Sequence, residues 1–217
     1  MITILKSPGS FQLFGLIGSM VAIFGSLIAA LAYRGKDGES YSPLNHFISE
    51  LGEVGVSRLS WIFNISMILA GLCLMLACIN LGLMLPGVLG KIAMAVGIVY
   101  SIFLCLVGVF PMNKEETHGF VAMSNFRAGL VMVFLFSLAI ALQRVDELFL
   151  SRWFALAGLP AMLSFAGFLI LAPRITEEED PLKNEEIDRP RVWPLVVVEW
   201  LIFVSMVLWF FVIAFGV

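Results

Sequence analysis

The sequence predicts an all-α integral membrane bundle of six transmembrane helices, and three observations carry that prediction. Hydrophobic residues make up 60% of the 217 and charged residues only 13%, with a mean hydropathy of +1.00, far from the balance of a water-soluble domain. Apolar runs of about 20 residues, long enough to cross a hydrocarbon core, recur along the chain with short polar breaks. The runs are continuous and lack the two-residue alternation of outer-membrane strands, so helices must satisfy the backbone inside lipid.

The first run, residues 10–33, follows Lys6 and contains Ala30, Leu31 and Ala32, a small-residue pattern resembling a leader cleavage site. Its apolar stretch exceeds the roughly 7 to 15 residues of a secretory core, so a retained helix is expected. Next comes "YSPLNHFISELGEVG" at residues 41–55. On a period of about 100° per residue, Leu44, Phe47, Ile48 and Leu51 form one apolar arc, with His46, Ser49, Glu50 and Glu53 opposite. Ser42 as N-cap, Pro43 at the first helical position and Gly52 or Gly55 as the stop predict a short amphipathic interfacial helix over about residues 42–52. The remaining spans are expected at residues 60–83, 88–110, 119–142, 152–172 and 195–217, the last interrupted by Glu199 alone. Six helices in series give a single transmembrane domain over 1–217.

Six crossings place the longer connections, 34–59, 111–118 and 173–194, on one side of the membrane, the loop face. The tight connections around Pro86 and from Gln143 to Arg152 share the other side, the turn face, with both termini. The loop face carries eight Lys and Arg residues and the turn face four, but over about twice the loop length, so the positive-inside rule leans only slightly toward a cytoplasmic loop face. The stretch "TEEEDPLKNEEIDRPR", with seven carboxylates, reads as a solvated connector. Small residues at spacing four (Gly15 with Ser19, Gly18 with Ala22, Ala22 with Ser26, then Ala93, Gly97 and Ser101) predict close helix packing within the chain. Cys73, Cys78 and Cys105 lie in predicted spans without paired spacing and read as small buried side chains.

The polar groups of the spans gather near the loop face. Asn64 falls about one turn into the second helix, Arg127 about two turns into the fourth and Glu199 about one turn into the sixth, all from that side, with His118 closing the third connection. An ionisable residue in lipid costs several kcal/mol unless it snorkels, pairs or faces a wet cavity. Arg127 with Glu199 is therefore the expected ion pair. His46 and Glu50 are expected at the rim of a pocket, with Asn64, Arg127 and Glu199 as its floor and His118 beside them. The bland alternative for His46 and Glu50 is a pair of solvated neighbours on the polar side of an interfacial helix.

"YSPLNHFISELG" after the first membrane helix and "FPMNKEETHG" after the third resemble the prokaryotic membrane family catalogued as domain of unknown function 998. More distantly the chain is similar to the DRAM and Sfk group of six-helix proteins. The distinctive residues are Pro43, Ile48, Ser49, Glu50, Gly52, Pro111, His118 and Gly119. The resemblance implies six transmembrane helices, no established catalytic activity, and a first loop outside the cytoplasm, hence cytoplasmic termini in a cell-membrane protein. For the eukaryotic relatives it implies roles in lipid handling or membrane organisation.

Three function classes follow. The favoured one is a non-enzymatic protein binding a lipid headgroup or small polar ligand through His46, Glu50, Asn64, His118, Arg127 and Glu199, with Arg127 suited to an anionic headgroup. The second is an intramembrane lipid hydrolase or transferase, with His46 or His118 as base or metal ligand, Glu50 as partner and Ser49 as candidate nucleophile. A transporter is the third, although no inverted repeat or broken-helix pair stands out. No HExxH element, GxSxG elbow or phosphate-cradling glycine loop is present, so no metal or cofactor is expected. A net charge of -3 without a basic face argues against nucleic acid.

Overall fold

A computed structural model of the chain describes residues 6–36, 38–174, 182 and 188–217. Six helices long and apolar enough to cross a membrane organise them: α1 (Pro8–Ala32), α2 (Ser60–Met84), α3 (Gly87–Val109), α4 (Glu115–Ala141), a fifth span over Arg152–Arg174, and α6 (Pro194–Gly216). The fifth span is composite: a 3₁₀ segment (Arg152–Gly158) leads into α5 (Leu159–Leu171), and Ala172–Arg174 closes it as 3₁₀. Pro160, which has no N–H to give, sits in the first turn of α5 where none is needed. No strand occurs among the described residues, where extended pairing is limited to one isolated bridge between Val54 and Ser57. Most of the acidic connector, expected to be solvated, lies outside the described residues.

Each helix packs on its neighbour in sequence, and α1 packs on α6, which closes the six into a ring. The small-residue stripes are the seams of this ring. Gly15, Gly18, Ser19, Ala22, Gly25, Ser26 and Ala29 form the buried face of α1, and Gly90, Ala93, Gly97 and Ser101 that of α3. Lipid offers no hydrophobic force between helices, so attraction depends on close backbone approach. At Gly108 the approach is tightest: a Cβ there would collide with the Asn64 carbonyl oxygen of α2.

Helix ends at the turn face are closed by side chains. Ser7 caps α1, accepting from the Ser10 N–H at 3.3 Å, and Pro8 follows it. Lys91 reaches back from α3 to the last carbonyls of α2, donating to Gly82, Leu83 and Leu85 at 2.6, 3.3 and 3.1 Å. Gln143, 2% exposed, donates to the Ile140 and Leu150 carbonyls and accepts from the Phe149 and Leu150 N–H groups, while Arg152 donates to the Gln143 carbonyl. Gln12 bonds the Ala214 carbonyl at 3.0 Å and joins the ends of α1 and α6.

At the loop face the expected amphipathic helix over residues 42–52 is corrected. Residues 42–46 form a turn closed by the His46 N–H to the Ser42 carbonyl at 2.9 Å, and a five-residue 3₁₀ helix (Ile48–Gly52) follows. The expected apolar arc is buried at Phe47 and Leu51, but Leu44 is half exposed, and the polar residues His46, Ser49 and Glu50 are buried as well. The polar residues find partners within the protein, and that removes the reason for an arc turned to water.

Gly108→Leu is expected to wedge α2 from α3 and destabilise the bundle by about 2 kcal/mol. Thermal unfolding in detergent, followed by helical circular dichroism, reads that loss, and an unchanged midpoint would show that the contact is not needed.

Candidate functional site

Glu50 is 2% exposed and gathers donors from three parts of the chain. Its Oε1 accepts from the Phe47 N–H at 2.7 Å, a capping interaction at the start of the 3₁₀ helix. Arg189 donates to both carboxylate oxygens, at 3.0 and 2.8 Å, and to the Asn45 carbonyl at 3.1 Å. The Tyr33 hydroxyl, at the end of α1, donates to Oε2 at 3.5 Å. The Trp193 N–H donates to the Leu44 carbonyl at 2.8 Å, and its ring meets Phe47 edge-on at 4.9 Å. The segment ahead of α6 thus straps the first loop onto the bundle.

His46 stands beside this strap in an aromatic cage. Its ring lies 5.4 Å from Tyr33 and 5.3 Å from Tyr41. Nδ1 lies 2.8 Å from Asn45 Oδ1 and accepts from the Ser42 N–H at 3.2 Å, while Nε2 lies 3.7 Å from a Glu39 oxygen. The Tyr41 hydroxyl donates to the His46 and Phe47 carbonyls and accepts from Trp200 Nε1 at 3.0 Å. Burial pushes the Tyr33 and Tyr41 phenols above the ordinary tyrosine range, with Glu50 adding to Tyr33 and Glu199 to Tyr41.

Under the first loop lies a narrow cavity of about 90 Å³, lined by α1, α2, α3, α4, α6 and the 3₁₀ helix. That volume is room for several waters. The lining on α6 runs from Glu199 to Phe210, so the slot extends roughly 16 Å along that helix. Ser49, His118 and Glu199 line its loop-face end, Tyr100 and Asn125 a deeper level, and Leu74, Met206 and Phe210, with Ser19 beside Leu74, its mostly apolar depth. Glu199 Oε2 accepts from the Ile48 N–H at 2.7 Å, so the loop's first helical donor is held by a carboxylate of α6. His118 Nδ1 donates to the Phe110 carbonyl at 2.8 Å, which leaves Nε2 free to accept in the neutral ring. Ser49 Oγ lies 3.6 Å from Met112 Sδ, and Asn125 Nδ2 donates to the Tyr100 carbonyl at 3.0 Å.

His118 also lines a second, water-facing hollow of about 360 Å³, together with Lys36, Glu53, Met112, Glu115 and Glu116. Burial pushes the Glu53 carboxyl above the usual carboxylate range, against the pull of Lys36. The histidine therefore lines both the acidic vestibule and the slot.

Of the residues singled out in the sequence, Ser49, His118 and Glu199 meet at the slot. His46 and Glu50 do not line it; they hold the loop in place. Asn64 donates to the Gly52 carbonyl at 3.0 Å and pins the end of the 3₁₀ helix to α2. The expected pair of Arg127 with Glu199 does not form. Arg127 is nine residues from His118, half a turn out of phase on α4, and is exposed on the outer side of the ring. The ion pair at this face is instead Glu50 with Arg189. Sequence reasoning passed over Arg189, Tyr33, Tyr41, Trp200, Tyr100 and Asn125. Asn125 had a readable signal, since it lies seven residues after His118 and so on the same face of α4.

Arg189→Leu, which strands a buried carboxylate, is expected to cost about 2 kcal/mol, and adding Glu50→Leu to recover part of that loss. Unfolding midpoints of the single and double variants check this; a double variant less stable than the single would refute the ion-pair account.

A comparison with family models matches residues 16–216 to the family described as "Protein of unknown function (DUF998)". No curated protein and no solved structure matches the chain, so the more distant likeness to the DRAM and Sfk group gains no support. With six apolar helices and a family match over nearly its whole length, the chain belongs to the DUF998 family and is a multi-pass membrane protein.

Proposed function

We propose that the protein binds a membrane lipid or other single-chain amphiphile in the slot, with its polar head beside Ser49, His118 and Glu199 and its chain along Leu74, Met206 and Phe210. The observation that carries this reading is the polarity gradient of one narrow cavity, polar under the loop and apolar toward the middle of the bundle. Concave, mostly apolar sites with a few convergent polar groups are the usual form of small-molecule sites. The slot's length of roughly 16 Å matches one extended chain of about a dozen carbons, and its walls of flexible apolar side chains must part to admit one, because the volume as it stands holds only several waters.

The hydrolase or transferase reading has less support. Ser49 approaches a methionine sulfur and the Glu199 carboxyl, and His46 is held in its aromatic cage away from the slot, so the expected combination of Ser49 with His46 and Glu50 does not assemble. An anionic headgroup clamped by Arg127 would have to sit on the outer surface of α4, because that side chain faces away from the slot. We further propose, from the family resemblance, that the chain sits in the cell membrane with its loop face outside the cytoplasm and the termini and turn face inside.

Two measurements test these statements. Ala122 lines the slot one turn beyond His118, and Ala122→Phe is expected to fill the space and abolish retention of a dodecyl amphiphile in phosphatidylcholine nanodiscs, read by native mass spectrometry, with helicity unchanged. Retention equal to wild type would remove the slot as the site. For orientation, a membrane-impermeant maleimide applied to intact cells is expected to label Leu44→Cys, half exposed on the loop face, and not Val88→Cys, exposed on the turn face. The opposite pattern would invert the assignment.

A further inference from the structure

We propose that the head this slot selects is a protonated amine. The inference rests on the amphiphile reading above and names the class of head. It follows from which polar atoms are already engaged. The Ile48 N–H is held by Glu199, the Asn125 amide N–H by the Tyr100 carbonyl, and His118 Nδ1 by the Phe110 carbonyl. Arg189 is turned to Glu50 and Asn45, Arg127 faces outward, and no Lys or Arg lines the slot among the described residues. Most of the nitrogen donors around the cavity are thus engaged within the protein, and the donors left over, the second Asn125 amide N–H and the Tyr100 hydroxyl, lie at the deeper level.

Acceptors remain. Glu199 is 6% exposed, receives the Ile48 N–H with the Ser49 hydroxyl beside it, and has further lone pairs; the neutral His118 ring keeps Nε2 as an acceptor, and Asn125, deeper in the lining, keeps its carbonyl oxygen. The complement of an acceptor-lined site is a donor. An ammonium supplies three N–H donors and a positive charge, and so answers the hydrogen-bonding capacity of the Glu199 carboxyl and pairs with its ionised form, which has no cation beside it in the slot. A hydroxyl head answers only the first need, and a carboxylate or phosphate head opposes the second.

A further observation agrees. The vestibule that shares His118 with the slot carries Glu53, Glu115 and Glu116 against Lys36, a balance that concentrates cations at the mouth.

The test compares dodecylamine, dodecanol and lauric acid on the full chain in phosphatidylcholine nanodiscs, with Ala122→Phe giving the background of probe held by the lipid alone. Dodecylamine is expected to bind about tenfold or more tightly than dodecanol, with laurate weakest, as a charge-assisted hydrogen bond in a buried site implies. Glu199→Gln, which keeps an acceptor for Ile48, is expected to bring the amine to the level of the alcohol and leave the alcohol unchanged. Equal binding of amine and alcohol, tightest binding of laurate, or an amine preference that survives in a folded Glu199→Gln would overturn the amine head while the slot stands. If no probe exceeds the Ala122→Phe background, the slot reading falls, and the amine with it. Should Glu199→Gln fail to fold, the three-head series on wild type decides alone.

Discussion

A carboxylate taken out of water must be surrounded by donors, and at Glu50 the chain meets that demand from places far apart in sequence. The Phe47 amide comes from the same loop, Tyr33 from the end of α1, and Arg189 from the segment before α6. Each partner limits where its own element can lie. With Glu50 satisfied, the first loop is drawn inward, and that places Ile48 within reach of Glu199 and Ser49 over the slot. Loss of Arg189 would therefore affect more than one contact, because the roof of the cavity is built on that carboxylate.

The two faces of the bundle solve the problem of helix ends differently. At the turn face, Lys91, Gln143 and Gln12 supply the missing hydrogen bonds directly, and short connections leave little room between helices. At the loop face the partners are loops, whose side chains reach into the ring of helices and leave hollows between them. A membrane protein with one end closed by caps and the other roofed by loops has its accessible chemistry at a single surface. The buried polar groups Ser49, His118 and Glu199 follow that asymmetry.

Hydropathy and run length placed all six helices because lipid permits few other ways to satisfy a backbone. The ends differ by a few residues at most; α4 starts at Glu115, where two glutamates favour its N-terminus, rather than at the first apolar residue near 119. The convergence of His118 and Glu199 was legible from depth alone. The fate of residues 42–52 was not, because periodicity separates an apolar arc from a polar one but does not say which of them finds partners. Helical phase decides Arg127, and its distance from His118 in sequence already contained the answer. Arg189 was hidden because it lies in a connector dominated by acidic residues, and its contact with Glu50 spans well over half of the chain.

Arg127 on the outer side of α4 fixes a boundary for the surrounding lipid. A guanidinium cannot rest among acyl chains, and its stem extends only a few ångströms toward the headgroups. It lies twelve residues into a 27-residue helix, roughly 18 Å from Glu115 along the axis, so the first turns of α4 stand clear of the hydrocarbon unless the leaflet dips there. Either way the hydrocarbon edge lies low on this side of the ring. A lipid head resting in that dip would stand nine residues of α4, roughly 13 Å, below His118 and level with Asn125 and Phe126 in the wall of the slot, with α4 itself between them.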